Sequence, residues 1–314
     1  MKPPVAVVGS INVDVVVRSV RLPAPGETIH GESFALTLGG KGANQACAAA
    51  RLGADVTFLG ATGTDGFAAF AREKIAGFGL DLGLIRDDGA HGTGIAVISV
   101  DQAGQNAITV VAGANAGLSQ ADVTGARERL QAARVLLVQC ETPLETSLAA
   151  ARIVKAAGGC VILDPAPAPS GGIPGQLLDA IDFITPNEFE AAALVGHPVT
   201  DRDSALAAAR ALRARHPRLT AVVKLGGAGL VWSGPNSEGF VPPFSVHVVD
   251  TVAAGDCFNA GLAFALAGEG EESLAANPVP ALRFASACGA LAVTRPGAAE
   301  AAPTLGDVRI LLGP

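Results

Sequence analysis

Short runs that are apolar throughout, rich in β-branched residues, alternate along this chain with longer stretches rich in alanine. That rhythm constrains the fold more than any other feature. Strands buried on both faces read as continuous apolar runs, and parallel strands need a crossover, usually a helix, to join them. Residues 5–8, 56–59, 135–138, 161–163, 183–185, 221–225 and 230–232 are the expected strands. They predict an α/β fold: a doubly wound, mostly parallel sheet with helices on both faces. At 314 residues, roughly 75% of the unfolded surface can be buried, so the core needs no disulfide or structural metal.

Two segments interrupt the rhythm. Residues 14–37 and 92–111 read as hairpins, the second around the turn-like Asp101-Gln102-Ala103-Gly104. Alternating residues such as Ile95, Val97 and Ser99 suit a ribbon with one face covered. The expected organisation is a main α/β domain over 1–13, 38–91 and 112–314, with a small β-sheet lid over 14–37 and 92–111. An apolar face on such a lid invites a homodimer. Residues 166–175, rich in Pro and Gly, read as a surface loop.

Composition removes several classes of partner. Lys and Arg total 22 against 29 acidic residues, a net charge of −7, which argues against nucleic acid. With 49% hydrophobic and 16% charged residues the chain is globular, not disordered. No run approaches the roughly 18 consecutive apolar residues of a membrane span. The first apolar run is broken by Gly9, Ser10, Asn12 and Asp14, unlike a signal peptide. Five widely spaced cysteines without a C-x-x-C pair suit a reducing compartment, and the expected location is the cytoplasm.

The only Gly-Lys pair, Gly40-Lys41, is followed by Gly42, so the Walker phosphate loop is absent. The protein-kinase set, G-x-S-x-G and H-E-x-x-H are absent too. The richest segment is 250–261, a glycine-containing turn entering an apolar helix that ends near Gly268. Unpaired N–H groups and the helix dipole attract phosphate at such a terminus. Asp256 there suffices to take a hydroxyl proton, because phosphoryl transfer depends more on positioning than on base strength. Spacing alone favours the plainer alternative, a helix N-cap.

Other segments carry paired readings of the same kind. In Gly39-Gly40-Lys41-Gly42-Ala43-Asn44, ahead of a helical stretch over 45–52, Lys41 and Asn44 offer donors to sugar hydroxyls, or form a tight turn with a solvated lysine. Asp14, after the first strand, offers a carboxylate for two hydroxyls, or is a turn residue. Thr185, Pro186 and Glu188 read as N-cap, first helical position and capping box. That leaves Asn187 and Glu190 for phosphate and the waters of magnesium. Residues 225–229 read as a hairpin-like link.

Taken in order, Gly9-Ser10-Ile11-Asn12-Val13-Asp14, Pro25-Gly26-Glu27-Thr28, residues 39–45, Ala112-Gly113-Ala114-Asn115, residues 185–188, residues 250–259 and Val293-Thr294-Arg295-Pro296-Gly297 closely resemble the ribokinase-like family of sugar and nucleoside kinases. The resemblance spans nearly the whole chain. It implies a doubly wound domain with a β lid that forms the dimer contact, and transfer of the ATP γ-phosphate to the 5-hydroxyl of ribose. It turns Asp256 from cap into general base, with the backbone of Ala253, Ala254, Gly255 and Asp256 as anion hole. The implied sugar ligands are Asn12, Asp14, Gly40, Lys41, Asn44, Glu141 and Asp256. The implied ATP contacts are Asn187, Lys224, Gly226, Gly227, Gly229, Gly255 and Ser286. Glu190 would act on magnesium through water, and an activating potassium ion would sit at Asp250, Val252, Ala292, Arg295, Gly297 and Ala301.

Three residues depart from the family's habits: Cys257 where Thr is frequent, Ser286 where some members have His beside adenine, and Ala301 where Ser often serves potassium. The nucleotide preference and the potassium response stay open. So does the acceptor, since the same chemistry could act on deoxyribose, a ketose or a nucleoside. A non-catalytic sugar sensor is the remote alternative. A dinucleotide oxidoreductase is disfavoured, because Ile11 stands where the G-x-G-x-x-G pattern needs its second glycine.

Overall fold

Alternate residues of the apolar runs have two different destinations, and this is what sandwiches the sheet between helices. The computed structural model describes residues 2–268 and 277–313; Met1, residues 269–276 and Pro314, all within the expected main domain, lie outside it. In chain order its strands are β1 (Pro4–Val8), β2 (Asn12–Arg18), β3 (Ser33–Gly39), β4 (Asp55–Thr62), β5 (Ile85–Asp87), β6 (Gly94–Val100), β7 (Asn106–Val111), β8 (Val135–Gln139), β9 (Cys160–Asp164), β10 (Phe183–Ile184), β11 (Thr220–Lys224), β12 (Leu230–Ser233) and β13 (Glu238–Val241). On β8, Val135 and Leu137 pack into one core with Cys47, Leu262 and Leu282. Leu136 and Val138 pack into the other, with Val123, Val154 and Ala208. Period-two side-chain alternation therefore needs helices on both faces, as expected.

Among the described residues, nine strands form one sheet in the order β13-β12-β11-β10-β9-β8-β1-β4-β5. Its pairs are parallel from β5 to β11, and β12 and β13 add an antiparallel edge. From β1 the chain builds outward to β4 and β5, then returns to place β8 on the other side of β1. The strand order thus reverses between β1 and β8. Crevices beyond the carboxyl ends of strands at such a point are where open α/β sheets bind ligands.

A second sheet, ordered β3-β2-β6-β7, grows from the same place. Only Gly9, Ser10 and Ile11 separate β1 from β2. The two interruptions of the sequence rhythm meet here, with β2 parallel to β6 and antiparallel to β3, and β6 antiparallel to β7. Val13 and Leu38 root this sheet in the main core, so β2 and β3 extend to Asn12 and Gly39, just past the expected lid boundaries. Farther out it carries exposed apolar side chains, Phe34 at 72% and Ile108 at 56%.

Candidate active site

The crevice opens at the loop after β1. Ser10 donates from Oγ to Glu141 Oε2 at 2.5 Å, and the Lys41 backbone N–H donates to the same oxygen at 3.0 Å. The Lys41–Leu52 helix begins four residues earlier than the sequence suggested. It approaches so closely that a Cβ on Gly42 would lie 2.5 Å from Ser10 N. Gly40, at φ +85°, makes the turn that starts it. Asn115 donates to Asn12 Oδ1 at 2.8 Å and accepts from Ile11 N–H at 2.8 Å, fixing the β1–β2 link from the far side.

Asp14 faces Gly39 across β2 and β3, where any Cβ would fall 2.1 Å from its carboxylate. A side chain there would therefore evict Asp14. Burial, then Glu141 and Asp256, push the Asp14 carboxyl up to about 6. These charges surround Lys41. Burial opposes its charge, but Asp256, Asp164, Glu141 and Glu190 outweigh that and raise its pKa.

Asp256 is buried in the first turn of the Ala254–Gly268 helix. It is not the helix cap. Asn44 donates to its Oδ2 at 3.0 Å and Gln45 to its Oδ1 at 3.1 Å, so the carboxylate is turned toward the Lys41–Leu52 helix and away from its own backbone. Burial is the main force raising its carboxyl to about 6; Asp164 raises it further, while Lys41, Asn44 and Gln45 pull it down. Ahead of it Ala253 sits at φ +56°, the only non-glycine residue with positive φ among those described. Cys257 N–H makes the first intrahelical bond, to Ala253 O at 2.9 Å. The N–H groups of Gly255 and Asp256 precede it and have no intrahelical acceptor, which makes this terminus an anion cradle.

A cavity of about 660 Å³ opens onto that cradle, within the usual range for small-molecule sites. Lys41, Ala253, Ala254, Gly255 and Asp256 line it, together with Asn187, Glu190, Lys224, Gly226, Gly227, Gly229 and Ser286. Every nucleotide contact implied by the resemblance therefore borders one space. Residues 225–229 do link two antiparallel strands, β11 and β12, through a short 3-10 turn.

One local expectation is corrected. The capping box ahead of the Glu188–Val195 helix is Asn187 with Glu190, not Thr185 with Glu188. Thr185 Oγ1 is drawn away by Asn259 Oδ1 at 2.7 Å. Asn187 Oδ1 accepts from Glu190 N–H at 2.9 Å, and Glu190 Oε2 accepts from Asn187 N–H at 2.8 Å, so neither side chain is free of structural duty.

The donors present fit a divalent cation shared with phosphate. Asp164 and Glu190 both line the cavity, and burial, then Asp164, raise the Glu190 carboxyl. Among the described residues no group of three or more His, Cys, Asp or Glu could hold a metal ion. Of the expected potassium residues, Asp250 draws Val252 and Gly297 together. Asp250 accepts from Val252 N–H and Gly297 N–H, both at 3.1 Å. Arg295 turns its guanidinium to Asp307 at 3.2 Å, so only its carbonyl is available to such an ion, and Ala301 has a carbonyl alone.

Sequence reasoning missed four residues. Asp164 ends β9 and touches Gln45 and Lys224; a carboxylate ending an apolar strand of an open sheet was the available signal. Gln45 and Asn115 lay within quoted motifs without a role, and Gln139, bonded to Gln45, gave no signal.

The pfkB family carbohydrate kinase model matches residues 2–305. The chain is 38% identical to the ribokinase of Haemophilus influenzae, over 97% of this chain and 96% of that one. It is 36% identical to the deoxyribokinase of Salmonella typhi, over 81% and 82%. The structure of Arabidopsis thaliana ribokinase complexed with ribose and ATP superposes with a TM-score of 0.87, at 34% identity and covering 99% of both chains.

Proposed function

The chain belongs to the pfkB family of carbohydrate kinases, and from that premise we propose that it transfers the γ-phosphate of ATP to the 5-hydroxyl of D-ribose, giving D-ribose 5-phosphate. One observation carries the reading: Asp256, held by two amides, stands where a nucleotide-sized cavity meets the crevice of Asp14, Asn44 and Glu141.

In this reading Asn12, Asp14, Gly40, Lys41, Asn44 and Glu141 grip the sugar hydroxyls and set the 5-oxygen beside Asp256. Asn44 Oδ1, buried and without a partner, is an acceptor for one of them. ATP lies in the cavity along Asn187, Lys224, Gly226, Gly227, Gly229 and Ser286, its γ-phosphate on the backbone of 253–256. The 5-oxygen bonds to the γ-phosphorus as its proton passes to Asp256 and the bond to the bridging oxygen of ADP breaks. Charge on the transferring group meets the N–H groups of Gly255 and Asp256 and the Lys41 ammonium. Such a base contributes about 10²–10⁴ in rate. Magnesium, held by Glu190 through water with Asp164 nearby, supplies charge neutralisation at the phosphates when bound. Potassium, among the carbonyls of Val252, Ala292, Arg295, Gly297 and Ala301 with Asp250, would order the 253–256 turn.

The second sheet is read as a lid over the sugar and, through its exposed apolar side chains, as the contact of a homodimer. The cytoplasm is the proposed location; among the described residues no helix is long and apolar enough to cross a membrane. A second acceptor is favoured by one observation, the likeness to a deoxyribokinase. The test is ADP release by the purified protein with ATP and magnesium, with and without potassium, across D-ribose, deoxyribose, a ketose and a nucleoside. The highest kcat/KM is expected with D-ribose; a higher value on another acceptor reassigns the substrate, and binding of sugar without turnover makes the protein a sensor.

A further inference from the structure

Gln45 stands at the centre of the buried polar layer that joins the two halves of the site. Its Nε2 lies 3.1 Å from Asp256 Oδ1 and 3.1 Å from Asp164 Oδ2, and its Oε1 accepts from Gln139 Nε2 at 2.7 Å. Gln45, Asp164 and Gln139 are all fully buried. A side-chain amide has two N–H hydrogens, so each carboxylate receives one. This orientation gives each carboxylate a donor; turned over, Oε1 would face two carboxylates. Gln45 is wholly buried and does not line the 660 Å³ cavity, so its influence on the reaction passes through Asp256 and Asp164.

We propose that Gln45 is a positioning residue for the phosphoryl transfer: it fixes the Asp256 carboxylate in one orientation by bridging it to Asp164, and so registers the base on the sugar side against the carboxylate on the phosphate side. Other charged groups reach the same base from every packed element. Lys41 faces it from its own helix and Asp14 from β2, while Asp164 of β9 is itself held by Lys224 of β11 at 3.4 Å. Without the bridge, two buried carboxylates lose their shared donor, and the charged form of Asp256 loses a hydrogen bond that favours it.

The proposal rests on the kinase reading for its effect on rate but not for the bridge itself, and the experiment separates the two. In the full-length protein, the ¹³C resonances of aspartate carboxyls are titrated in wild type, Gln45→Leu and Gln45→Met, with Asp256 assigned by its loss in Asp256→Asn. Kinetics with ATP and ribose are measured on the same samples. In both variants the Asp256 titration is expected to move to higher pH. A misplaced reacting group costs about 10²-fold, and that loss is expected in kcat, with KM for ribose changing less than about threefold. Gln139→Leu, which frees the far end of the amide, is expected to act in the same direction by less, and to add little to Gln45→Leu. An unmoved Asp256 titration in a folded variant overturns the bridge. A titration that moves while kcat does not overturns the positioning role. A titration that moves in the variants, with no sugar-dependent turnover in the wild type, supports the bridge and overturns the kinase reading.

Discussion

Two aspartates in this site are held at an unusual proton affinity, and burial is the main cause in both. Asp14 and Asp256 rise from the ordinary 3.8 to about 6. A general base must be ionised, so kcat/KM is expected to fall on the acid side below about pH 6, read from a pH–rate profile. The same shift has a consequence for stability. Between about pH 4 and pH 6 the folded state binds more protons than the unfolded chain, so Asp256 makes the fold less stable as pH rises through that window. Asp256→Asn removes that loss, on the order of 3 kcal/mol for a two-unit shift. Asn44 tolerates the new amide, since its unpartnered Oδ1 can turn to accept from it. Thermal melts across pH 4–7 check this: the wild type is expected to lose ground to the variant as pH rises. Asp256 and Asp14 were legible because each sits at a recognisable break in the strand and helix pattern. Asp164 and Gln45 were not, because their roles exist only once the end of β9 and the Lys41–Leu52 helix converge.

The chain element with most to say about catalysis is the turn into the Ala254–Gly268 helix. An L-residue at φ +56° carries roughly 1–2 kcal/mol of strain. Ala253→Gly relieves it but loosens the unfolded chain, for a net gain of about 0.5–1 kcal/mol expected in urea denaturation. The β2–β3 pair makes the opposite prediction. Gly39→Ala drives a Cβ into the Asp14 carboxylate, and losing one hydrogen bond to a charged group is worth about 1.5–3 kcal/mol. KM for the sugar is therefore expected to rise at least about tenfold. The long apolar runs were plain in the sequence as strands. β5 and β13 were not: they are short edge pieces of three and four residues without a continuous apolar run. The displaced capping box shows another limit. Local spacing favoured Thr185, but its hydroxyl is claimed by Asn259, 74 residues away, and no local pattern encodes that partner.

The whole molecule assembles one site from two sheets and the helices behind them. The reversal of strand order beside β1 gathers Ser10, Glu141 and Asp164 at one edge, and the second sheet springs from the same loop to carry Asp14 over it. The α/β class and a second small sheet built from the two insertions were readable in the sequence, whereas the parallel register of β2 on β6 that joins them was not, since those strands are distant in sequence. As a proposed dimer contact, the exposed Ile108 side chain gives a test at this scale. Ile108→Lys is expected to shift sedimentation from dimer to monomer, and a wild type that sediments as a monomer would contradict the contact. The account's central claim is that Asp256 takes the proton of a sugar hydroxyl as phosphate is transferred to it. ADP release with ATP, magnesium and D-ribose tests it most directly: the wild type is predicted to turn over only when sugar is present, and Asp256→Asn to lose about 10²–10⁴ of that rate while still binding ATP. Ribose-dependent turnover undiminished in Asp256→Asn would contradict it.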